Sequence, residues 1–584
     1  MIEQDSQEVE VWRNIKIPLR DGCHLNANIY LPRGKDSPSP TIVSLTPYIS
    51  DRLHDRGMYF AGRNLPFVGV DVRGRGNSEG NFRPYIYDSD DGCDVVCWVA
   101  RQGFCNGKVA MYGASYLGYV QWVVAARLPE PLCAIAPTAA PFLGVDVPMR
   151  NNIFPMYAIR WLATVAERAM QPKLFADSHF WSTLYRRQFE TGRPFGALDK
   201  LAGEPSSIFQ EWIAHPEQGP YWDALNPSRR DYEDLQLPIL TITGAYDGDQ
   251  LGALEHYKKH MQSATPTARE RHYLVIGPWD HAGCAAPRRE FGGIKLGPDS
   301  VIDILDLHLQ WYLWIFGTAA KPEFLKDRVA YYVMGAEHWR YASTLEEVTA
   351  RVASLYLHAD GNPTDVFRSG LLVGEVSQGG EPDHYIYDPR DVNRAGFESM
   401  LDDERSLTDQ SMIHALFGQC FVYHSLPFDE DTEVSGFFRF SAWISIDCRD
   451  TDFRVSLYEI GIDGTSTFLT ADWMRARYRR SLRQAHLIQN SEPLQYDFER
   501  FPFVSRLIRK GHRVRMVFDS KDSIHEQRNY NRGEVVAEES IHDALPVTIR
   551  LFHDLEHPSV LYVPIGRGEA TITVRESLTS TERE

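Results

Sequence analysis

A serine becomes nucleophilic only where the backbone presents its hydroxyl to a base. One segment of this chain is built for that: Gly113-Ala114-Ser115-Tyr116-Leu117-Gly118. Residues 108–112 read as a short buried strand running straight into it, and apolar, helix-capable residues follow. A strand that turns sharply into a helix at the serine strains the backbone there and pushes the hydroxyl clear of the sheet. The N-terminus of the new helix then lies where an oxyanion would develop. The segment departs from the simple Gly-x-Ser-x-Gly pattern, because Leu117 stands where the second glycine is expected and Gly118 follows it.

A hydroxyl also needs a base, and histidine suits neutral pH. In a sheet of this kind the chain order is serine, then acid, then histidine. Residues 238–243 form a buried strand pattern followed by Gly244-Ala245-Tyr246-Asp247-Gly248-Asp249, and residues 271–276 form another followed by Gly277-Pro278-Trp279-Asp280-His281. Both candidates fall just past the C-terminal end of a strand, the edge where open parallel sheets build their sites. Asp247 is therefore expected as the acid and His281, after the last buried strand, as the base. Asp280 is badly placed to orient the ring next to it in sequence, while Asp249 stays open as a rival acid. With Ser115 attacking an acyl carbon and His281 relaying its proton, hydrolysis would run through an acyl-enzyme.

These residues need a scaffold. Residues 14–18 and 25–31 read as a hairpin turned at Arg20-Asp21-Gly22, and residues 41–45, 65–70 and 108–112 as further strands, with a helix over 91–101. That alternation predicts a parallel sheet covered on both faces. Residues 150–170 and 177–190 read as helices rich in aromatics, Trp161 among them, inserted over the sheet's edge. Strands 239–243 and 273–276 and a helix over 301–316 resume the pattern. From about residue 351 short strands dominate (354–357, 436–446, 453–460, 512–518, 547–551), which predicts a β sandwich of jelly-roll kind. The expected organisation is a catalytic domain over 1–144 and 238–350, a helical cap over 145–237 and a C-terminal β sandwich over 351–584, with residues 577–584 frayed.

The chain has 584 residues, of which 43% are hydrophobic and 24% charged, and a net charge of −18. That balance fits several packed domains and disfavours nucleic acid and anionic membranes as partners. No leader pattern or membrane-length apolar run is visible, so a cytoplasmic location is expected. Cys93, Cys97 and Cys105 cluster, but they lack the paired spacing of a metal site and read as buried thiols; no metal or cofactor is expected. Arg73-Gly74-Arg75-Gly76 is glycine-rich without the Gly-Lys-Ser/Thr ending of a phosphate loop, so Asp71 and Arg73 are expected to serve the turn.

Gly113 to Gly118 resembles the Gly-x-Ser-Tyr-x-Gly of the cocaine esterase and X-Pro dipeptidyl-peptidase family of serine hydrolases, which also holds α-amino-acid ester hydrolases and some acylases. Thr46-Pro47-Tyr48, the run Asp71 to Gly80, Tyr246-Asp247-Gly248 and Gly277 to His281 are similar to its other catalytic-domain segments. Asp450 to Phe453, Arg475 to Tyr478, Gly511-His512-Arg513 and Arg528 to Asn531 are similar to its jelly-roll segments, so the resemblance spans nearly the whole chain. It implies an α/β-hydrolase core, an inserted helical cap and a C-terminal β jelly roll. It also implies an oxyanion hole made by the Tyr48 hydroxyl and the backbone N–H of Tyr116. Asp249 and Asp146 resemble carboxylates that hold a substrate ammonium in the amino-acid ester hydrolases, although Gln250 replaces a further carboxylate; the cap aromatics, Trp161 included, are candidates for an apolar acyl pocket. The expected substrate is a small-molecule ester or amide or a short peptide, and relatives of this kind are often homo-oligomers, which leaves that state open here. Acyl transfer or cyclisation through the same acyl-enzyme, X-Pro dipeptide release, and a non-catalytic binding role are the alternatives.

Overall fold

The computed structural model of the chain describes residues 8–568 apart from 35–36, 204, 399–404, 412, 414–415 and 417; the tail 577–584, expected to fray, lies outside them. The N-terminal half is organised around a ten-stranded sheet. Its first eight strands are β1 (Val9–Pro18), β2 (His24–Pro32), β3 (Ser39–Thr46), β4 (Phe67–Asp71), β5 (Cys105–Ala114), β6 (Leu132–Thr138), β7 (Ile239–Tyr246) and β8 (His272–Asp280). They lie in the order β1-β2-β4-β3-β5-β6-β7-β8, and strands Val329–Val333 and His338–Ala342 close the far edge. From β4 to Val329–Val333 every neighbouring pair is parallel. The near-continuous apolar runs of β3, β4 and β8 follow from burial on both faces.

Helices α1 (His54–Ala61), α2 (Asp88–Ala100) and α3 (Tyr116–Ala125) connect the first parallel strands. The segment between β6 and β7 carries α4 (Tyr157–Thr164), α5 (Pro172–Ala176) and α6 (Ser178–Thr191), followed by shorter helical turns. Its aromatics Phe154, Trp161, Trp181, Phe189, Trp212 and Trp222 join one continuous core with Val95, Val120 and Trp122 of α2 and α3. The cap is thus packed into the hydrolase core. The C-terminal part is a second, 13-stranded sheet system closed around Phe421, Phe440, Phe453, Phe498 and Phe518. The architecture is an α/β-hydrolase core with an inserted helical cap and a C-terminal β domain.

Three local expectations are corrected. The helix expected over 150–170 is reduced to α4, because Asn151 and Asn152 take left-handed backbone (φ 50° and 65°) and turn their amides to distant carbonyls and to Asp472. The strand expected over 436–446 is two strands, Thr432–Gly436 and Arg439–Ile446. Between them Phe438 enters the C-terminal core while Phe437 packs on Phe503. And β8 is not the last buried strand of its sheet, since Val329–Val333 follows, buried throughout.

Candidate active site

The strand order β4-β3-β5 reverses direction at β3, so a crevice opens between the C-terminal ends of β3 and β5. Tyr48 follows β3 and Ser115 follows β5, which makes them neighbours across that crevice. Asp247 and His281 come directly after β7 and β8 on the same edge.

Ser115 has φ 61° and ψ −126°, a conformation that costs an L-residue about 1–3 kcal/mol and that persists only when its surroundings enforce it. Its N–H donates to the Thr138 carbonyl (2.9 Å), and its own carbonyl accepts from Gly118 (2.8 Å) and Tyr119 (3.0 Å) to start α3. The absence of glycine at 117 now has a physical account. The tight approach of α3 to β6 falls one residue later, where a Cβ on Gly118 would stand 2.8 Å from the Thr138 carbonyl oxygen. Leu117 is accommodated because Gly113, at φ 146°, has no Cβ; one there would lie 2.4 Å from that of Leu117.

Tyr116 begins α3, so its N–H has no acceptor within the helix and stays available beside Ser115. Its ring is buried against Tyr85 and Trp161, and its hydroxyl donates to the buried Asp88 carboxylate (2.6 Å). Tyr48 approaches from the other side. Its hydroxyl accepts from Trp161 Nε1 (3.0 Å) and lies close enough to Ser115 for the serine hydroxyl to influence it. Burial pushes the Tyr48 phenol up to about 12, so at neutral pH it keeps its proton and can donate.

His281 Nδ1 lies 2.7 Å from Asp247 Oδ1 and 3.7 Å from Asp249 Oδ2. Asp247 is fully enclosed and also accepts from the Thr243 hydroxyl (2.8 Å) and the Asp249 N–H (3.0 Å), with the buried Cys284 thiol nearby. Burial works against the charge on Asp247, but His281 and these donors outweigh it and hold the carboxyl below its usual range. Burial would also lower His281; the charges of Asp249 and Asp247 overcome that and push it up to about 10. Asp249 rises to about 7 through burial, with Asp247 adding to the rise and His281 opposing it. Asp280 turns away to pair with Arg288. Ser115 and His281 are not hydrogen-bonded to each other among the described residues, and such contacts commonly tighten only with substrate bound.

The structure thus brings Ser115, Tyr48, Tyr116, Trp161, His281, Asp247 and Asp249 together. Asp146 sits behind them. Its carboxyl accepts from the N–H groups of Phe142 (2.9 Å) and Gly252 (2.5 Å), so it ties the start of the cap to the helix Gln250–Ser263, and burial, with the charge of Asp249 adding to it, pushes it well above the usual carboxylate range. Gln250, in the first turn of that helix, is clasped by the C-terminal domain: it accepts from the Phe503 N–H (2.6 Å) and donates to the Phe503 carbonyl (3.2 Å). A second cap aromatic reaches the same neighbourhood. Tyr157, at the start of α4, is 48% exposed, and its hydroxyl feels the charges of both Tyr48 and Asp249. Its spacing of four from Trp161 puts both on one helix face.

Residues 21–283 match the model of the X-Pro dipeptidyl-peptidase S15 family, and residues 325–561 match that of the X-Pro dipeptidyl-peptidase C-terminal non-catalytic domain. The chain belongs to this family. Its members are serine hydrolases, and this chain is an enzyme of that type. It is 25% identical to the cocaine esterase of Rhodococcus sp. (strain MB1 Bresler) over 577 residues, covering 94% of this chain and 98% of that one. Among solved structures, an aminopeptidase from a marine sediment Thaumarchaeota archaeon superposes with a TM-score of 0.81 at 22% identity, covering 97% of this chain and 98% of that one. An α-amino-acid ester hydrolase superposes with a TM-score of 0.80 at 19% identity, with the same coverage. These two share the fold of this S15-family chain. No helix among its described residues is long and apolar enough to cross a membrane.

Proposed function

We propose that this S15-family enzyme cleaves an ester or amide of a small molecule or short peptide through an acyl-enzyme on Ser115. The observation that carries this reading is the convergence at one sheet edge of a strained Ser115, a protonated Tyr48 hydroxyl beside it, and a His281–Asp247 pair at 2.7 Å. Ser115 Oγ attacks the acyl carbon as His281 Nε2 takes its proton. Asp247 holds the ring with Nδ1–H toward itself and stabilises the imidazolium. The oxyanion is received by the Tyr48 hydroxyl and the Tyr116 N–H. His281 returns the proton to the departing alcohol or amine, and water then releases the acyl group by the same steps in reverse.

A second feature bears on the acyl group. Asp249 keeps 15% of its side chain exposed beside His281, and its carboxylate favours a substrate bearing an amine near the scissile carbonyl. Trp161 and Tyr157 supply the apolar side of the same pocket. Labelling by a fluorophosphonate probe should occur in wild type and vanish in Ser115→Ala; an unlabelled wild type would overturn the nucleophile assignment. Turnover of an α-amino ester against its des-amino analogue, in wild type and Asp249→Asn, tests the amine preference. Equal kcat/KM for both esters in both proteins would remove it. Product analysis with an added amine separates hydrolysis from acyl transfer.

A further inference from the structure

Arg75 is completely buried in the turn that follows β4, and the mechanism above makes no use of it. Both of its hydrogen bonds end on neutral carbonyls: Nε donates to Pro47 (2.7 Å) and Nη1 to Val165 (2.8 Å). Nη2 has no partner, and the guanidinium lies over the Phe82 ring at 5.2 Å. A buried cation that is not matched by a hydrogen-bonded carboxylate is costly, so its placement calls for a compensating use.

Its two acceptors bracket the oxyanion donor. Pro47 is the residue before Tyr48, and Val165 ends α4, the helix whose Trp161 donates to the Tyr48 hydroxyl. One guanidinium thereby ties the Tyr48 segment to the helix that holds the Tyr48 phenol. That segment needs holding. Ile49, the next residue, is β-branched yet sits at φ 76°, a strained conformation that relaxes unless it is over-determined. The Arg75 charge is felt first by the Asp71 carboxylate, which is hydrogen-bonded to Asn26 and Ser50, and then by the Tyr116 and Tyr48 phenols. Burial pushes the guanidinium down to about 10, which leaves it protonated at neutral pH.

We infer that Arg75 is a positioning residue for the oxyanion hole: it fixes Tyr48 against the cap helix and sets a buried positive charge behind the Tyr48 phenol. This rests on the assignment of Ser115, Tyr48 and Tyr116 made above. A preorganised charge behind that donor acts when negative charge develops on the substrate oxygen and contributes little to the uncharged ground state, so its loss should appear in kcat and not in KM.

The experiment compares Arg75→Met and Arg75→Gln, both neutral, with Arg75→Lys, which keeps the charge, on p-nitrophenyl butyrate, with thermal melting of each variant and Ser115→Ala alongside. Either neutral variant suffices if the other fails to fold. The expected result is a kcat about 10- to 100-fold lower in the neutral variants at nearly unchanged KM, with Arg75→Lys recovering most of it. A folded neutral variant with wild-type kcat, or an Arg75→Lys as impaired as the neutral ones, overturns the role of Arg75 while the Ser115 assignment stands. Wild-type turnover by Ser115→Ala overturns that assignment and the inference with it.

Discussion

Asp249 faces the same ring nitrogen of His281 that Asp247 holds, at 3.7 Å against 2.7 Å. Two carboxylates therefore raise one imidazole, Asp249 through its charge and Asp247 through its charge and its hydrogen bond. A general base works only when unprotonated, so kcat/KM should climb with pH through the His281 titration. Asp249→Asn removes a negative charge that favours the imidazolium, and the rising limb should move to lower pH. The move is about one unit, since the half-exposed ring is screened by water. A pH profile of kcat/KM on one neutral ester checks this. Asp247→Asn should instead cost about 10⁴-fold in kcat, because it removes the partner that fixes the tautomer.

In the proposed mechanism Tyr48→Phe deletes a single donor aimed at the developing oxyanion. Its kcat should fall about 10²–10³-fold with KM little changed. Trp161→Phe leaves the ring stack but removes the N–H that holds the Tyr48 hydroxyl, and its loss should be smaller, about 10-fold, in the same parameter. Steady-state kinetics on an activated ester reads both.

Gly118→Ala tests the account of the serine turn. A methyl there meets the Thr138 carbonyl and Ala140 (2.8 Å and 3.0 Å to their nearest atoms), so α3 must shift off β6. The expected cost is about 1–3 kcal/mol in stability, read as a lower Tm, with lower kcat because Ser115 moves too. Leu117→Ala, which shortens a side chain without new contacts, should leave the turn in place and lose less activity than Gly118→Ala.

Tyr157→Ala should act on substrate selection. The residue is half-exposed at the start of α4, its hydroxyl feels the charges of Tyr48 and Asp249, and the proposed mechanism gives it no step. KM values across a series of acyl esters should change several-fold, and their rank order with them, while kcat on the smallest ester stays within about three-fold.

Much of this was readable from residue order. Strand patterns leading into Ser115, Asp247 and His281 placed all three at one edge before any coordinates, because the C-terminal ends of parallel strands are where side chains converge. What escaped was set by contacts distant in sequence. Asn151 and Asn152 leave the helical pattern because Asp472, Trp473 and Leu482, over 300 residues away, offer better acceptors. Asp249 stayed ambiguous as an acid because only the turn geometry, with its own N–H bonded to Asp247, decides which carboxylate meets the ring. Arg75 lay in a glycine-rich turn whose sequence announces a bend and gives no hint that its side chain reaches the cap.

The clasp of Gln250 by Phe503 reaches beyond local geometry. Gln250 sits three residues after Asp247, so the loop bearing the proposed acid is fastened to a chain segment encoded some 250 positions later. A gene shortened after the first sheet would encode every group proposed for bond breaking and still lack the fastening for one of them. Shuffling the C-terminal part between relatives should therefore change turnover numbers as well as solubility, and the two halves should be inherited together.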